Sequence, residues 1–261
     1  MKRNSITAHA VGERRSEIAE WEQSNSDVKW LTLCVIRREV LMRTITKWIK
    51  PGAVFLEAGC GVGRRLFVCA LNPNIKHAVG LDFSKELIKT TRKFKAKYGF
   101  HNISLIVADT MHLPFQTGKF DIISSLGVIE HFPNPQLAIR EMSETLKTGG
   151  YLFLETPNKN SYATTSMWTK TAIEKFGRQD LYSPEQLAQL TEKHKLRTIM
   201  VTGDDFGGSI AQLMNDRLGK HLPKPFIQPV FQSVKVLCNL LNPVMKHRGF
   251  LSVVIAKRTA D

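Results

Sequence analysis

Residues 54–64, VFLEAGCGVGR, decide the fold, because an apolar strand ends there in an acid, Glu57, and turns through three glycines into a helix. The glycines stand at the alternate positions 59, 61 and 63. Glycine suits such a turn because the required backbone angles disfavour a Cβ and because a ligand can then approach the main chain closely. The pattern predicts a nucleotide-like ligand at the ends of parallel strands.

From residue 53 onward, short apolar runs alternate with amphipathic stretches, which is typical of βαβ units around a parallel sheet. Strands are predicted at residues 53–57, 77–81, 104–108, 120–125, 151–155, 196–202 and 251–256. Helices are predicted at 62–70, at 84–98, from a capping box at Ser183 to about Lys193, and before the fifth strand, where Gly149-Gly150 indicates a helix stop. The fold class is therefore α/β, with a mainly parallel seven-stranded sheet.

The composition excludes several classes of protein. Of 261 residues, 43% are hydrophobic and 23% are charged, which is typical of a globular chain and not of a disordered or collagen-like one. The four cysteines form no C-x-x-C pair, so neither a disulfide framework nor a metal site is predicted. The N-terminus lacks a secretory signal and no run of about 18 apolar residues occurs, so we expect a cytoplasmic protein.

The chain is strongly basic, with 37 Lys and Arg against 23 Asp and Glu, a formal charge of +14. Residues 1–50 carry 10 basic and 6 acidic side chains, residues 51–156 carry 12 and 9, and residues 157–261 carry 15 and 8. The three segments thus contribute +4, +3 and +7, and half of the excess lies in the last one. Such an excess is typical of proteins that contact nucleic acid or an anionic membrane.

Two further acids follow predicted strands, Asp82 after the second and Asp109 after the third. An acid at the end of the second strand commonly accepts hydrogen bonds from ribose hydroxyls. A dinucleotide fingerprint needs G-x-G-x-x-G, but Arg64 occupies the place of its third glycine. Glu57 would also repel a pyrophosphate, whereas it suits a ligand with an ammonium and a sulfonium group. The residues favour S-adenosylmethionine (SAM), and an NAD(P)-dependent oxidoreductase stays as the alternative.

Five segments, FLEAGCGVGR, VGLDFS, ADTMHLPF, FDIISSLGVIEHF and LKTGGYLFLETPN, resemble in order and spacing the successive motifs of class I SAM-dependent methyltransferases. Within that superfamily they look most like the branch that includes the enzymes of ubiquinone and menaquinone biosynthesis, the type 11 methyltransferases. The resemblance covers residues 53–157 strongly and the closing strands to residue 258 more loosely. It implies a three-layer Rossmann-like fold whose last strand is antiparallel.

The resemblance also implies which residues line the cofactor. The acid Glu57 and the backbone of the glycine turn would hold its methionine end, Asp82 its ribose, and Asp109 its adenine amino group. Phe83 would pack against the adenine, Thr110 would donate a backbone N–H to it, and Ser125 with Leu126 would border the sulfonium. The complete predicted set is Glu57, Gly59, Cys60, Gly61, Gly63, Asp82, Phe83, Asp109, Thr110, Ser125 and Leu126.

Methyl transfer needs a general base only where the acceptor must lose a proton, as a hydroxyl would. His131, after the fourth strand, is the candidate base, because its ordinary pKa near 6.5 suits that work. The alternative is that His131 only shapes the cofactor pocket. The Pro-Pro-aromatic cluster of amino-group methylases and the Pro-Cys pair needed for attack on a pyrimidine do not occur, so RNA methylation is a minority reading.

We therefore expect a helical N-terminal extension at residues 1–50 and a methyltransferase domain at 51–261, with acceptor-side insertions at about 157–180 and 203–249. Residues 227–241 have apolar side chains at helical spacing, which predicts an amphipathic helix that serves either as a lid or as a lipid contact. The expected acceptor is a small-molecule, lipid-linked or cell-envelope compound methylated at oxygen, with peripheral contact to an anionic membrane. A SAM-binding scaffold without turnover is the non-enzyme alternative, and the oligomeric state is left open.

Overall fold

The computed structural model describes residues 47–164, 179–206 and 240–260, together with residues 45, 209–210, 214, 230, 233–234 and 236–238. Most of the predicted N-terminal extension, most of the insertion at 157–180 and most of that at 203–249 lie outside the described residues. So do Ile227 and Phe231 of the predicted amphipathic helix. The division into an extension and a methyltransferase domain therefore stays a prediction.

Strands and helices alternate through the first half of the described chain. The strands are β1 Ala53–Ala58, β2 Ile75–Asp82, β3 Ile103–Val107, β4 Phe120–Leu126, β5 Leu146–Pro157, β6 Leu196–Asp204 and β7 Leu251–Arg258. The helices are α1 Arg64–Ala70, α2 Lys85–Lys97, α3 Pro135–Thr145, α4 Pro184–Thr191 and α5 Asn242–Met245. Short 3₁₀ turns lie at Ile129–His131 and Lys246–Arg248.

The seven strands form one sheet in the order β3-β2-β1-β4-β5-β7-β6. Strand β1 pairs in parallel with both β2 and β4, and β2 pairs in parallel with β3. The sheet is mostly parallel with antiparallel last strands, which confirms the predicted fold class. Because β1, β2, β3 and β4 run in the same direction, the residues that follow them meet at one edge of the sheet. This edge positions the candidate site.

Local sequence explains the elements that position that edge. Strand β1 is apolar except for Glu57, and its Phe55 and Leu56 are fully buried, as expected of a strand covered on both faces. Helix α2 begins at Ser84, whose hydroxyl accepts a hydrogen bond from the backbone N–H of Leu87. Helix α4 has the predicted capping box, in which Ser183 and Gln186 each accept a hydrogen bond from the other's backbone N–H.

The helix stop predicted at Gly149-Gly150 is wrong. Helix α3 ends at Thr145, and β5 begins at once with Leu146, so both glycines belong to the strand. A Cβ on Gly150 would stand 2.9 Å from the carbonyl oxygen of Asp121, which shows how closely the backbones of β4 and β5 approach there. The Nζ of Lys147 also binds the Asp121 carboxylate, at 2.8 and 2.9 Å. Glycine serves strand packing here rather than helix termination.

The chain divides into two compact units. The first comprises Met1–Leu126, Asn134–Phe153 and Lys257–Asp261, and the second comprises Gly127–Pro133 and Leu154–Ala256. The core of the first unit contains the fully buried side chains of Phe55, Phe67 and Phe120. Within the described ranges, no helix is long and apolar enough to cross a bilayer.

Candidate functional site

The glycine turn that follows β1 has the backbone geometry that only glycine adopts readily. Gly59, Gly61 and Gly63 have φ angles of 81°, 54° and 77°. A Cβ on Gly63 would lie 2.6 Å from Cγ2 of Thr91, so this position also lacks room for a side chain. A Cβ on Gly61 would meet nothing within 4 Å, so the main chain at Gly61 borders open space. The turn therefore presents bare backbone to a ligand at Gly61.

Asp82, at the end of β2, ties the turn to the neighbouring strand. Its Oδ2 accepts a hydrogen bond from the backbone N–H of Gly61 at 2.8 Å, and its Oδ1 accepts one from Ser84 at 2.9 Å. The N–H groups of Gly59 and Cys60 both donate to the carbonyl of Leu81, at 2.7 and 2.8 Å. Each carboxylate oxygen keeps further lone pairs after one such bond. Asp82 is thus fixed in orientation and still able to accept from a bound hydroxyl.

Thr91, on α2, is a site residue that the sequence prediction did not name. Its hydroxyl donates to the carbonyl oxygen of Gly61 at 2.9 Å and lies at the same distance from that of Leu87. Thr91 is fully buried, so the hydroxyl has no competing water. The helical spacing indicated the burial of Thr91 but gave no signal for the bond to the turn.

Glu57 is a buried acid without a full set of partners. Its side chain is 3% exposed, and its Oε2 has no hydrogen-bond partner among the described residues. Burial raises the pKa of Glu57 from 4.5 to about 8, although the charges of Arg65 and Arg64 and a hydrogen bond from the Leu66 backbone act to lower it. A buried carboxyl with this raised pKa is mostly protonated at pH 7 and ionises when a cationic group lies beside it.

The pairing of the strands places two more residues beside Glu57. In the register of the sheet, Glu57 lies opposite Gly80 of β2 and Ser124 of β4. Residues in register on neighbouring strands share a face, so the Ser124 side chain lies on the same face as the Glu57 carboxyl. Ser124 and Ser125 are both fully buried, and neither hydroxyl has a partner among the described residues. The prediction named Ser125 and Leu126 but missed Ser124.

The predicted adenine residues lie at and beyond the ends of β2 and β3. Asp109 is partly exposed, and its Oδ1 accepts from the backbone N–H of Met111 at 2.8 Å. Thr110 is buried, whereas Phe83 is 36% exposed beside Asp82. The N–H of Ala108 donates to the carbonyl of Asp82 at 3.1 Å, which links the two strand ends. An apolar ring and two acids therefore follow adjacent strands.

Cys60, inside the turn, is buried, and burial raises the pKa of its thiol well above the ordinary value. The nearby Glu57 and Asp82 act in the same direction. A thiol with a raised pKa is a poor nucleophile, because only the thiolate reacts. Cys60 therefore serves as a small packed side chain.

The candidate base, His131, belongs to the second unit. Its Nε2 lies 4.0 Å from Oε1 of Glu130, and the Glu130 side chain is 2% exposed. The backbone N–H of Asp180 donates to the carbonyl oxygen of Glu130 at 2.8 Å, which fixes this 3₁₀ turn. His131 as the base stays a prediction.

The first unit therefore combines a buried acid, a fixed acid and a bare glycine backbone at one edge of parallel strands. This donor set suits a ligand that carries positive charge and ribose hydroxyls, and an acid at position 57 disfavours a pyrophosphate. Within the part of the chain that the structure describes, no group of three or more His, Cys, Asp or Glu side chains could hold a metal ion.

Comparison with known proteins gives one family and several relatives. A methyltransferase domain family matches residues 49–204. A probable tRNA methyltransferase 9B from Homo sapiens is 36% identical over 108 residues, which cover 40% of this chain and 21% of that protein. A demethylmenaquinone methyltransferase from Listeria monocytogenes is 30% identical over 148 residues, which cover 55% of this chain and 59% of that protein.

The fold resembles that of a solved geranyl diphosphate C-methyltransferase from Streptomyces coelicolor, crystallised with Mg²⁺, geranyl diphosphate and S-adenosyl-L-homocysteine. The two share 15% identity and a TM-score of 0.58 over 83% of this chain and 79% of that one. The chain matches less than two thirds of the length of either sequence relative. The demethylmenaquinone methyltransferases fit the branch to which the sequence motifs pointed.

Proposed function

Because the chain belongs to the methyltransferase domain family, we propose that it transfers the methyl group of SAM to an oxygen atom of a small-molecule or lipid-linked acceptor. The observation that carries the proposal is the buried Glu57 carboxyl, whose Oε2 has no partner, in register with Ser124 at the edge where Asp82 is fixed. These residues fit SAM, whose ammonium and sulfonium groups need a carboxylate and whose ribose needs an acceptor.

Each residue of the edge has a distinct task in this proposal. The turn backbone at Gly61 lets the cofactor approach, while Thr91 and Asp82 hold Gly61 in place from both sides. Asp82 accepts from the ribose hydroxyls through its remaining lone pairs. Phe83 covers the adenine, and Asp109 accepts from the adenine amino group with the Thr110 backbone beside it. Ser125 and Leu126 border the sulfonium.

When bound, SAM supplies an electrophilic methyl group on a positively charged sulfur that leaves as a neutral thioether. The protein aligns the acceptor with that carbon and excludes water. An acceptor hydroxyl that took this methyl group would have to release its proton. The imidazole of His131, whose Nε2 lies 4.0 Å from Oε1 of Glu130, would accept that proton.

A calorimetric titration with SAM and with S-adenosylhomocysteine tests cofactor binding. We expect binding by the wild type and at least a tenfold loss of affinity in Asp82→Ala. Asp121→Ala is the matched control, because Asp121 lies at the start of β4, away from the carboxyl ends of the strands. No binding by folded wild-type protein, or undiminished binding by Asp82→Ala, would contradict the proposal. Tight binding of NAD(P) instead would favour the oxidoreductase.

Turnover needs a separate assay, since a scaffold could bind SAM without reacting. Transfer of a labelled methyl group to a panel of phenolic, quinol and lipid-linked hydroxyl acceptors separates an enzyme from a scaffold. For an oxygen acceptor, His131→Ala should lose most of the rate, and His131→Gln should fail to restore it. Full turnover by His131→Ala would remove the histidine as the base while leaving methyl transfer in place.

RNA is the second candidate acceptor, because the chain carries a formal charge of +14 and has a relative named as a probable tRNA methyltransferase. The matched segment covers only 40% of this chain and 21% of that relative. Adding bulk tRNA to the labelled-methyl assay distinguishes the two classes. Incorporation into tRNA, and not into the hydroxyl panel, would replace the proposed acceptor.

A further inference from the structure

An apolar surface in the second unit has no cover among the described residues. Its members are large aliphatic side chains exposed to between 53% and 74%, namely Val236, Leu237, Leu240, Leu241 and Val244. We call these five residues the apolar patch. Large aliphatic side chains clustered in solvent are unusual in a folded protein and mark a site of interaction.

The backbone of this segment is a run of successive helical turns. The N–H groups of Leu240, Leu241 and Val244 donate to the carbonyl three residues earlier in each case, at 3.1, 2.9 and 3.0 Å. Each patch residue has another patch residue three or four positions away, as Leu237 has Leu240 and Leu241, and residues at these spacings are neighbours on such turns. The patch is therefore a single surface and not a set of scattered exposures.

The stretch of sequence that contains the patch carries charge of one sign. Between Asp216 and Asp261 the sequence contains no acidic residue, whereas it contains eight basic ones, Arg217, Lys220, Lys224, Lys235, Lys246, Arg248, Lys257 and Arg258. Residues 236–244 themselves carry no charge, and Lys235 and Lys246 flank them closely. An uncharged aliphatic stretch inside a purely basic segment is the pattern of a segment that lies in the interface of an anionic membrane.

We propose that the apolar patch docks the protein on an anionic lipid surface, with its aliphatic side chains in the acyl boundary. A second copy of the chain fits less well, because it would bring two acid-free basic segments together. A nucleic acid fits less well, because the patch has no aromatic ring on which a base could stack. The proposal depends on the patch and on the sequence that flanks it, and it stands independently of methyl transfer.

Sedimentation with lipid vesicles tests the proposal. At 100 mM salt we expect wild-type protein to bind vesicles of 70% phosphatidylcholine and 30% phosphatidylglycerol at least tenfold more tightly than vesicles of phosphatidylcholine alone. Raising the salt to 500 mM should weaken that binding, since screening acts on the basic contribution. Equal binding to both vesicle types, or none to either, would overturn the proposal.

Paired variants assign the binding to the patch. Leu237→Ser with Leu240→Ser should lower the affinity for the anionic vesicles at least tenfold, and Lys224→Gln with Lys235→Gln should reduce its salt dependence. Leu71→Ser is the matched control, because Leu71 is a similarly exposed leucine in the first unit. All three variants should keep the circular dichroism spectrum and the S-adenosylhomocysteine affinity of the wild type. These two measurements show that folding and the cofactor site are intact.

Three results would contradict the assignment. Vesicle binding by the double leucine variant at the wild-type level would exclude the patch. A dimer in the wild type that this variant dissociates would identify a second copy as the occupant. Binding to tRNA that is lost in the leucine variant, with no vesicle binding by the wild type, would identify RNA. Failure of the wild type to bind S-adenosylhomocysteine would refute the proposed function but would leave the membrane-docking proposal unaffected.

Discussion

Glu57→Gln removes the ionisable group with the largest functional consequence while keeping the shape of the side chain. In the folded protein, burial raises the pKa of Glu57 to about 8, whereas an unfolded chain has the ordinary value of 4.5. Between these values the folded state keeps a proton that the unfolded state has lost. The stability conferred by that proton is complete below pH 4.5 and is lost as the pH rises toward 8.

The size of the effect follows from proton linkage. The free energy of unfolding falls by about 1.4 kcal/mol for each pH unit in which the folded state holds one more proton. Because the difference is slightly less than one proton near either end of the window, a rise from pH 5.5 to 7.5 should cost about 2 kcal/mol. Glu57→Gln has no such proton, so its stability should lack this component.

Urea unfolding at half-unit steps from pH 5 to 8.5 measures the effect. The informative quantity is the difference in unfolding free energy between the wild type and Glu57→Gln, because the titration of histidines contributes equally to both proteins. That difference should shift in favour of the variant by about 2 kcal/mol between pH 5.5 and 7.5. A difference that stays constant over this range would refute the raised pKa and the reasoning built on it.

The same group predicts how cofactor binding depends on pH. A cationic ligand needs the ionised carboxylate, so binding below pH 8 should release a proton from Glu57. Calorimetry at pH 7 in buffers of different ionisation enthalpy measures that release, which should approach one proton per SAM. Glu57→Gln should release markedly less, and equal release by both proteins would assign the proton to another group.

Two further predictions concern the support of the glycine turn. Gly63→Ala should lower the free energy of unfolding in urea by about 2 kcal/mol or more, because φ is 77° and the new Cβ would lie 2.6 Å from Cγ2 of Thr91. Gly118→Ala is the control. Its φ is 70° and its Cβ would meet nothing within 4 Å, so it should cost only the backbone strain of about 1 kcal/mol. Thr91→Val should cost about 1 to 2 kcal/mol and weaken S-adenosylhomocysteine binding several-fold, since the carbonyl of Gly61 loses its donor; unchanged affinity would show that the turn holds its shape without Thr91.

The sequence predicted the cores of the elements because their signals are local. Apolar runs located the strands to within a few residues, and Ser183 located the start of α4 through its capping box. The failure at Gly149-Gly150 has a physical cause, since the same residue type ends helices and allows strands to approach closely. Only the presence of the neighbouring β4 backbone distinguishes the two uses, and that presence is a tertiary fact.

The candidate site shows the same division between features that local sequence predicts and features that depend on tertiary contacts. The acids at the ends of β1 and β2 and just after β3 were predictable, because each stands at the end of its own strand in the sequence. Ser124 was missed because its place beside Glu57 depends on the register between β1 and β4, which no local pattern contains. Thr91 was missed as a partner of Gly61 for the same reason, since 30 residues separate the two in the chain. The raised pKa of Glu57 depends on burial by the whole unit.

Because of the raised pKa of Glu57, position 57 discriminates between ligands by their charge. At pH 7, ionising a carboxyl with a pKa of about 8 costs about 1.4 kcal/mol. A cation within about 4 Å of the carboxylate would return about 4 kcal/mol at an effective dielectric constant of 20, so a sulfonium or ammonium ligand gains on balance. A pyrophosphate at the same distance gains nothing from the neutral acid and is repelled by the ionised one. The difference of a few kcal/mol separates SAM from a dinucleotide by a factor of 100 or so, about what one buried acid in place of a neutral residue can contribute.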